Sequence, residues 1–129
     1  MIMIKDFLII NITGNKDSIG LRINNKFFIK ELKKNINEKE SLVNKIMLFL
    51  DSNKAKIDKN FSIIVNLGPG SFSYIRKSLS IAKGINISKK SKLYGYKDAQ
   101  LSEFNLKNIE FLIKKNLLEN KLIKPVYIS

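Results

Sequence analysis

An α/β fold around one mixed sheet is what this sequence predicts, and three observations predict it. Short apolar runs of strand length open the chain in quick succession, separated only by turn residues. Two later runs of the same kind, 61–65 and 92–96, each follow a stretch whose apolar residues recur at helical spacing. The length, 129 residues with 44% hydrophobic, suits one domain with its own core and leaves little room for two.

Taken in order, residues 7–12 (Phe-Leu-Ile-Ile-Asn-Ile) form a continuous apolar run and predict a buried strand. Thr13-Gly14-Asn15-Lys16-Asp17 is turn chemistry. Residues 18–23 alternate as a second strand, Asn24-Asn25 is a two-residue hairpin signal, and 26–30 completes an antiparallel meander. Asn37, with Glu40 three residues on, has the form of a capping box. Leu42, Val43, Ile46, Met47, Phe49 and Leu50 then fall on a broad face of a first helix, wider than packing on one sheet needs. A lysine-rich connection leads into the fourth strand at 61–65. After the turn at Gly68-Pro69-Gly70, Ser71 is placed to cap a second helix with Ile75, Leu79, Ile81, Ala82 and Ile85 at helical spacing. Residues 92–96 are a fifth strand and 99–104 a brief helix. A last helix spans 108–122, with Ile109, Leu112, Ile113, Leu117 and Leu118 on its apolar face, and Pro125 keeps the tail extended. The order β-β-β-α-β-α-β with a C-terminal helix is that of one RNase H-like lobe of the actin-like ATPase superfamily: a meander, then helix-connected strands added in parallel.

Composition narrows the chemistry. There is no cysteine, hence no disulfide, zinc–thiolate site or thiol nucleophile, and no histidine, hence neither the commonest general base nor the commonest metal ligand. The net charge is +13, and Arg22 and Arg76 are the only arginines. Lysine, asparagine and isoleucine are abundant together, so the charge reads first as compositional, because base-reading proteins lean on the arginine fork. It is uneven, however. Between residues 52 and 97 ten basic side chains stand against the single acid Asp58, a field able to hold tRNA or an acidic partner. Within that stretch Lys89, Lys90 and Lys92 are the candidate tRNA contacts. Residues 1–10 are apolar but carry Lys5 and Asp6 and lack a small-residue cleavage site, and the later run 46–50 is too short to span a bilayer. A cytoplasmic protein with no membrane association is expected.

The segment Gly68-Pro69-Gly70-Ser71-Phe72-Ser73-Tyr74-Ile75-Arg76-Lys77-Ser78, followed by Ala82-Lys83-Gly84, resembles the signature of the TsaB (YeaZ) family, Gly-Pro-Gly-Ser-Phe-Thr-Gly-Leu-Arg-Ile-Gly and then Ala-Lys-Gly. Residues 9–21 look like that family's opening strand, turn and strand, and Pro125-Val126-Tyr127-Ile128 is similar to its closing Pro-x-Tyr-Leu. The resemblance implies a single TsaB-like domain over 1–129 with the second lobe largely missing. It also implies a non-catalytic scaffold subunit of the machinery that makes threonylcarbamoyladenosine on tRNA. The implied partner is the catalytic TsaD, bound through a bundle of the first two helices, roughly 38–51 and 71–87, with the ATPase TsaE joining that complex and tRNA touched indirectly or weakly. On this sequence the interface would fall on Leu42, Ile46, Phe49, Phe72, Tyr74, Ser78 and Ile81, and a homodimer could use the same helices. Two glycines of the family's second helix are Tyr74 and Ser78 here, and its C-terminal arginine is Ser129.

A glycine-rich turn at a helix start can also offer N–H groups to an anion, which makes Gly68, Gly70 and Ser71 candidates for a phosphate site. The competing reading is a tight turn with a cap. Relatives that bind nucleotide place an acid at the end of the first strand, where this chain has Asn11, a poor magnesium ligand. No catalytic residue, metal ligand or cofactor is therefore expected. Glu38, Glu40 and Asp51 read as surface and capping charge, and Asp98 as a helix-start residue. Two other function classes stay open: an independent RNA-binding module resting on the basic segment, and a degenerate ATPase or glycoprotease-like enzyme.

Overall fold

The structure, a computed structural model, describes residues 4–33 and 41–120. Three strands open it: β1 (Phe7–Asn11), β2 (Ser18–Ile23) and β3 (Lys26–Glu31). Both pairings are antiparallel, with Phe7 opposite Arg22 and Ile23 opposite Lys26. Asn24 and Asn25 make the β2–β3 turn with φ of 50° and 66°, the left-handed geometry that asparagine tolerates and a two-residue hairpin requires. Helix α1 (Leu42–Ser52) leads to β4 (Ser62–Asn66), which pairs parallel with β1. Helix α2 (Phe72–Lys89) leads to β5 (Lys92–Tyr96), parallel to β4. The sheet order is β3-β2-β1-β4-β5. A 3₁₀ turn (Asp98–Gln100) and helix α3 (Leu106–Lys114) follow. This is the mixed α/β lobe expected from the element order.

Period-two alternation divides the sheet between two cores. Leu8, Ile10, Ile19, Leu21, Ile63 and Val65 point to one face, where Ile46, Phe49 and Leu50 of α1 and Leu79, Ala82 and Ile85 of α2 cover them. Phe7, Ile9, Ile64, Tyr94 and Tyr96 point to the other, under Ile109 and Leu112 of α3. Arg22 of β2 and Glu110 of α3 form a 2.7 Å ion pair over that second face. Both α1 and α2 therefore run on one side of the sheet, each from the C-terminal ends of the parallel strands toward their N-terminal ends.

Several boundaries differ from expectation. Asn37, Glu38 and Glu40 lie outside the described residues, and the cap of α1 is Ser41, whose Oγ accepts from Asn44 N at 3.2 Å. Ser71 is the N-cap of α2, but its hydroxyl makes no capping bond. The short helix expected at 99–104 is only the 3₁₀ turn. The last helix stops at Lys114 because Asn116 turns left-handed, with φ of 56°, and Glu119 then exchanges backbone hydrogen bonds with Gly95 at 2.8 Å. Leu118 is buried from this returning segment, not from a helical face. Residues 121–129, including the Pro125–Ile128 ending and Ser129, lie outside the described residues. Among the described residues no helix is long and apolar enough to cross a membrane.

Candidate functional site

Parallel strands place their C-terminal ends together, and here those ends carry polar side chains. Asn11 closes β1, Asn66 closes β4, and Tyr96 closes β5 with Asp98 two residues on. Asn66 is buried and acts as the hub. Its Nδ2 donates to Asn11 Oδ1 at 2.7 Å and to Asp98 Oδ1 at 3.0 Å, and its Oδ1 accepts from Gly68 N at 2.8 Å. The Tyr96 hydroxyl donates to the same Asn11 oxygen at 2.7 Å. Burial pushes the Tyr96 phenol well above its usual range, and the nearby Asp98 carboxylate pushes it further, so the phenol stays a donor. The end of β1 is thus a neutral amide, Asn11, whose oxygen already accepts two hydrogen bonds. Among the described residues no three His, Cys, Asp or Glu side chains come together as a metal site.

The glycine-rich turn spends its polar groups internally. Gly68 takes φ of +96° before the cis Gly68–Pro69 bond, and its N–H is bound to Asn66. Ser71 N donates to Thr13 O at 2.9 Å. A Cβ on Gly70 would stand 2.7 Å from Thr13 Cβ, so only glycine lets the turn pack on the β1–β2 loop. In that loop Thr13 N and Gly14 N both donate to Asp17 Oδ1 at 3.0 Å, so a carboxylate of the chain itself fills the nest. Of the anion-site candidates Gly68, Gly70 and Ser71, the first and last have their N–H groups committed within the chain and Gly70 is packed against Thr13, an arrangement that favours the tight-turn reading.

The helix surfaces are different. Of the seven residues expected to meet a partner, Ile46, Phe49 and Ser78 are core residues, at 0%, 8% and 0% exposure. The Ser78 hydroxyl donates to Tyr74 O at 2.9 Å inside its own helix, with Ile12 O at 3.5 Å. A side chain without surface cannot dock, so these three are corrected to structural positions. Leu42, Tyr74 and Ile81 are half-buried against the same core, and Phe72 is 51% exposed with the Arg76 guanidinium 5.7 Å from its ring centroid. What the sequence reading left out of the interface is the outer side of α1. Val43, Met47 and Leu48 are 48%, 40% and 52% exposed there. The signal was present: Val43 and Met47 repeat at i, i+4 along the border of the face that holds Ile46, Phe49 and Leu50, and Leu48 lies on the side away from it. On α2, Ile87 is exposed, and Gly84 has nothing within 4 Å of where a Cβ would stand. Lys89, Lys90 and Lys92 are exposed where α2 turns into β5.

No protein-family model matches the chain, and no curated protein sequence matches it. Solved structures do. YeaZ from Pseudomonas aeruginosa superposes with a TM-score of 0.64 at 14% identity, over 75% of this chain and 46% of that one. A second structure from that organism, described as an uncharacterised protein with similarity to peptidase YeaZ, gives the same score and identity over 75% and 45%. The fold of this chain is therefore the fold of those proteins' matching portion, and the chain spans less than half of their length.

Proposed function

We propose that the chain is a member of the TsaB (YeaZ) family, and that it serves as a non-catalytic scaffold subunit in the synthesis of threonylcarbamoyladenosine on tRNA. In this reading it binds and stabilises a TsaD-type catalytic subunit through the outer faces of α1 and α2. The observation that carries the reading is the exposed apolar stripe Val43, Met47 and Leu48, on a helix whose opposite side is already buried in the core. A helix apolar on two sides fits a lobe meant to bury the second against another protein. Phe72 extends this apolar surface onto the first turn of α2. The likeness in fold to YeaZ and the Gly68–Gly84 motif support the choice of a TsaD-type protein as that partner. Docking of a TsaE-type ATPase would follow from assembly of that pair. An inactive scaffold also agrees with the strand ends, where Asn11, Asn66 and Tyr96 satisfy one another.

The test is co-expression with the TsaD-type protein of the same organism, followed by size exclusion. A stoichiometric complex that is lost in folded Leu48→Asp and Phe72→Asp variants is the expected result. A complex unchanged by both substitutions would overturn the placement. No complex with a folded chain would overturn the scaffold role itself.

A further inference from the structure

We infer that the outer edge of β3 pairs with the same edge of a second copy of this chain, antiparallel and two-fold about Ile29, joining two sheets into one. The chain treats the two edges of its sheet differently. β5 is outermost on one side, and the returning segment covers it, with Gly95 and Glu119 exchanging both backbone hydrogen bonds at 2.8 Å. β3 is outermost on the other side, and among the described residues no segment pairs with its outer edge. It is a strand without proline or glycine, in unbroken register with β2 from Lys26 to Glu31. A regular edge of this kind is able to accept another strand.

The register of the hairpin says which groups are on offer. Leu32 N donates to Asp17 O at 2.9 Å, and the turn closes on Ile23 opposite Lys26. Antiparallel pairs alternate between bonded and non-bonded, so Lys26, Phe28 and Lys30 direct their backbone groups to β2. Phe27, Ile29 and Glu31 direct theirs outward. Ile29, in the middle, is 47% exposed, and the other exposed large apolar side chains among the described residues stand on helices. Its cross-strand neighbour in β2 is Gly20, which has no side chain to offer. The space a Cβ would take at Gly20 is filled by the ring tips of Phe27 and Phe104, at 2.8 and 3.1 Å. Ile29 therefore lacks, within its own chain, the cross-strand contact that stabilises a sheet.

The occupant is a second copy because the strand complements itself in one register. Bonded pairs can form only between outward-facing residues. Centring the two-fold on Phe28 sets Lys26 opposite Lys30, and centring it on Lys30 sets that lysine opposite itself; both oppose like charges. Centring it on Phe27 runs Ile29 into the turn at Asn25. Centring it on Ile29 sets Ile29 against Ile29, Phe27 against Glu31, Phe28 against Lys30 and Lys26 against Leu32, with about six backbone hydrogen bonds. No lysine then faces a lysine. Edge lysines usually block pairing; here they exclude the neighbouring registers and leave this one. The inference does not depend on the scaffold reading, which uses α1 and α2 and not β3.

The experiment is sedimentation equilibrium of the purified full chain alone, at roughly 0.5 M salt, where repulsion between two chains of net charge +13 is screened. An edge pairing of this size belongs with weak interfaces, so the series extends to about 1 mM chain. A monomer–dimer equilibrium is expected. Ile29→Pro removes an outward N–H and no bond to β2, and it should raise the dissociation constant at least tenfold while circular dichroism stays unchanged. Should that variant unfold, Ile29→Asp opposes two carboxylates at the two-fold and should have the same effect. The chain has no cysteine, so single thiols report the geometry. Opposed Cα atoms of a bonded pair lie about 5.5 Å apart, within disulfide reach. Ile29→Cys should therefore form a covalent dimer with oxidised glutathione, and Leu48→Cys, on the exposed face of α1, should not. A chain that stays monomeric throughout the series would overturn the inference. So would a dimer unaffected by either substitution at Ile29, or cross-linking of Leu48→Cys at least as fast as that of Ile29→Cys, which would place self-association on the helices.

Discussion

Asn66 Nδ2 lies 2.7 Å from Asn11 Oδ1, and this one bond ties the end of β4 to the end of β1. The same side chain holds Asp98 and the Gly68 N–H. Asn66→Ala would leave the Gly68 donor unpaired and remove one of the two donors from the Asn11 oxygen. A cost of about 2–4 kcal/mol is expected from such a buried hub. Asn66→Asp should be no milder, because it adds a charge beside Asp98 and loses the amide donor. Urea unfolding of both variants checks this, and a change below about 1 kcal/mol in either would show that the network is not structural.

Tyr96 gives that network a pH dependence. Its phenol is raised in the folded state by burial and then by Asp98, so the folded chain holds this proton longer than the unfolded chain does. Stability from this group is fully present below the unfolded value near 10 and is lost as pH rises toward the folded value. The slope contributed is at most about 1.4 kcal/mol per pH unit above pH ~10. Tyr96→Phe should flatten the alkaline limb of a stability profile by up to that amount while lowering stability near neutral pH. An unchanged alkaline limb would contradict the assignment.

Helix α1 separates packing from docking at neighbouring positions. Ile46 is fully buried, so Ile46→Asp should unfold the lobe or cost several kcal/mol, and any loss of partner binding would be secondary. Met47→Asp and Leu48→Asp replace exposed groups and should change stability by less than about 1 kcal/mol. Thermal melts distinguish the two classes, and only the second class can report on an interface.

This contrast also shows what the sequence carried. The strands were legible because apolar runs bounded by Gly, Asn and Asp have few other uses, and Asn24-Asn25 named its own turn. The broad apolar face of α1 was legible as well, but its division was not. Whether Ile46 or Met47 meets the sheet depends on how the helix is rotated, which periodicity alone leaves free over a face this wide. The Asn11–Asn66–Tyr96–Asp98 network was invisible for another reason. Its members are 55 and 32 residues apart in its first two bonds, and only the parallel pairing of β1, β4 and β5 brings them together. Likewise the Asp17 carboxylate that fills the loop nest has no signature beyond turn composition.

Two glycines of the motif should respond in opposite ways. At Gly70 an added Cβ meets Thr13 Cβ at 2.7 Å and Thr13 O at 2.9 Å, and backbone cannot give way cheaply. Gly70→Ala should therefore destabilise by about 2 kcal/mol or more. At Gly84, mid-helix, an added Cβ meets nothing within 4 Å. There alanine removes only the conformational penalty of glycine, so Gly84→Ala should stabilise the isolated chain by about 0.5–1 kcal/mol. A residue that weakens its own helix without a packing reason inside the chain is accounted for if a partner helix approaches there, since small side chains allow a short interaxial distance. Gly84→Leu should then leave stability unchanged and weaken pairing with the proposed TsaD-type partner at least tenfold. Undiminished co-elution of the leucine variant would exclude the C-terminal half of α2 from the interface and confine docking to α1 and Phe72.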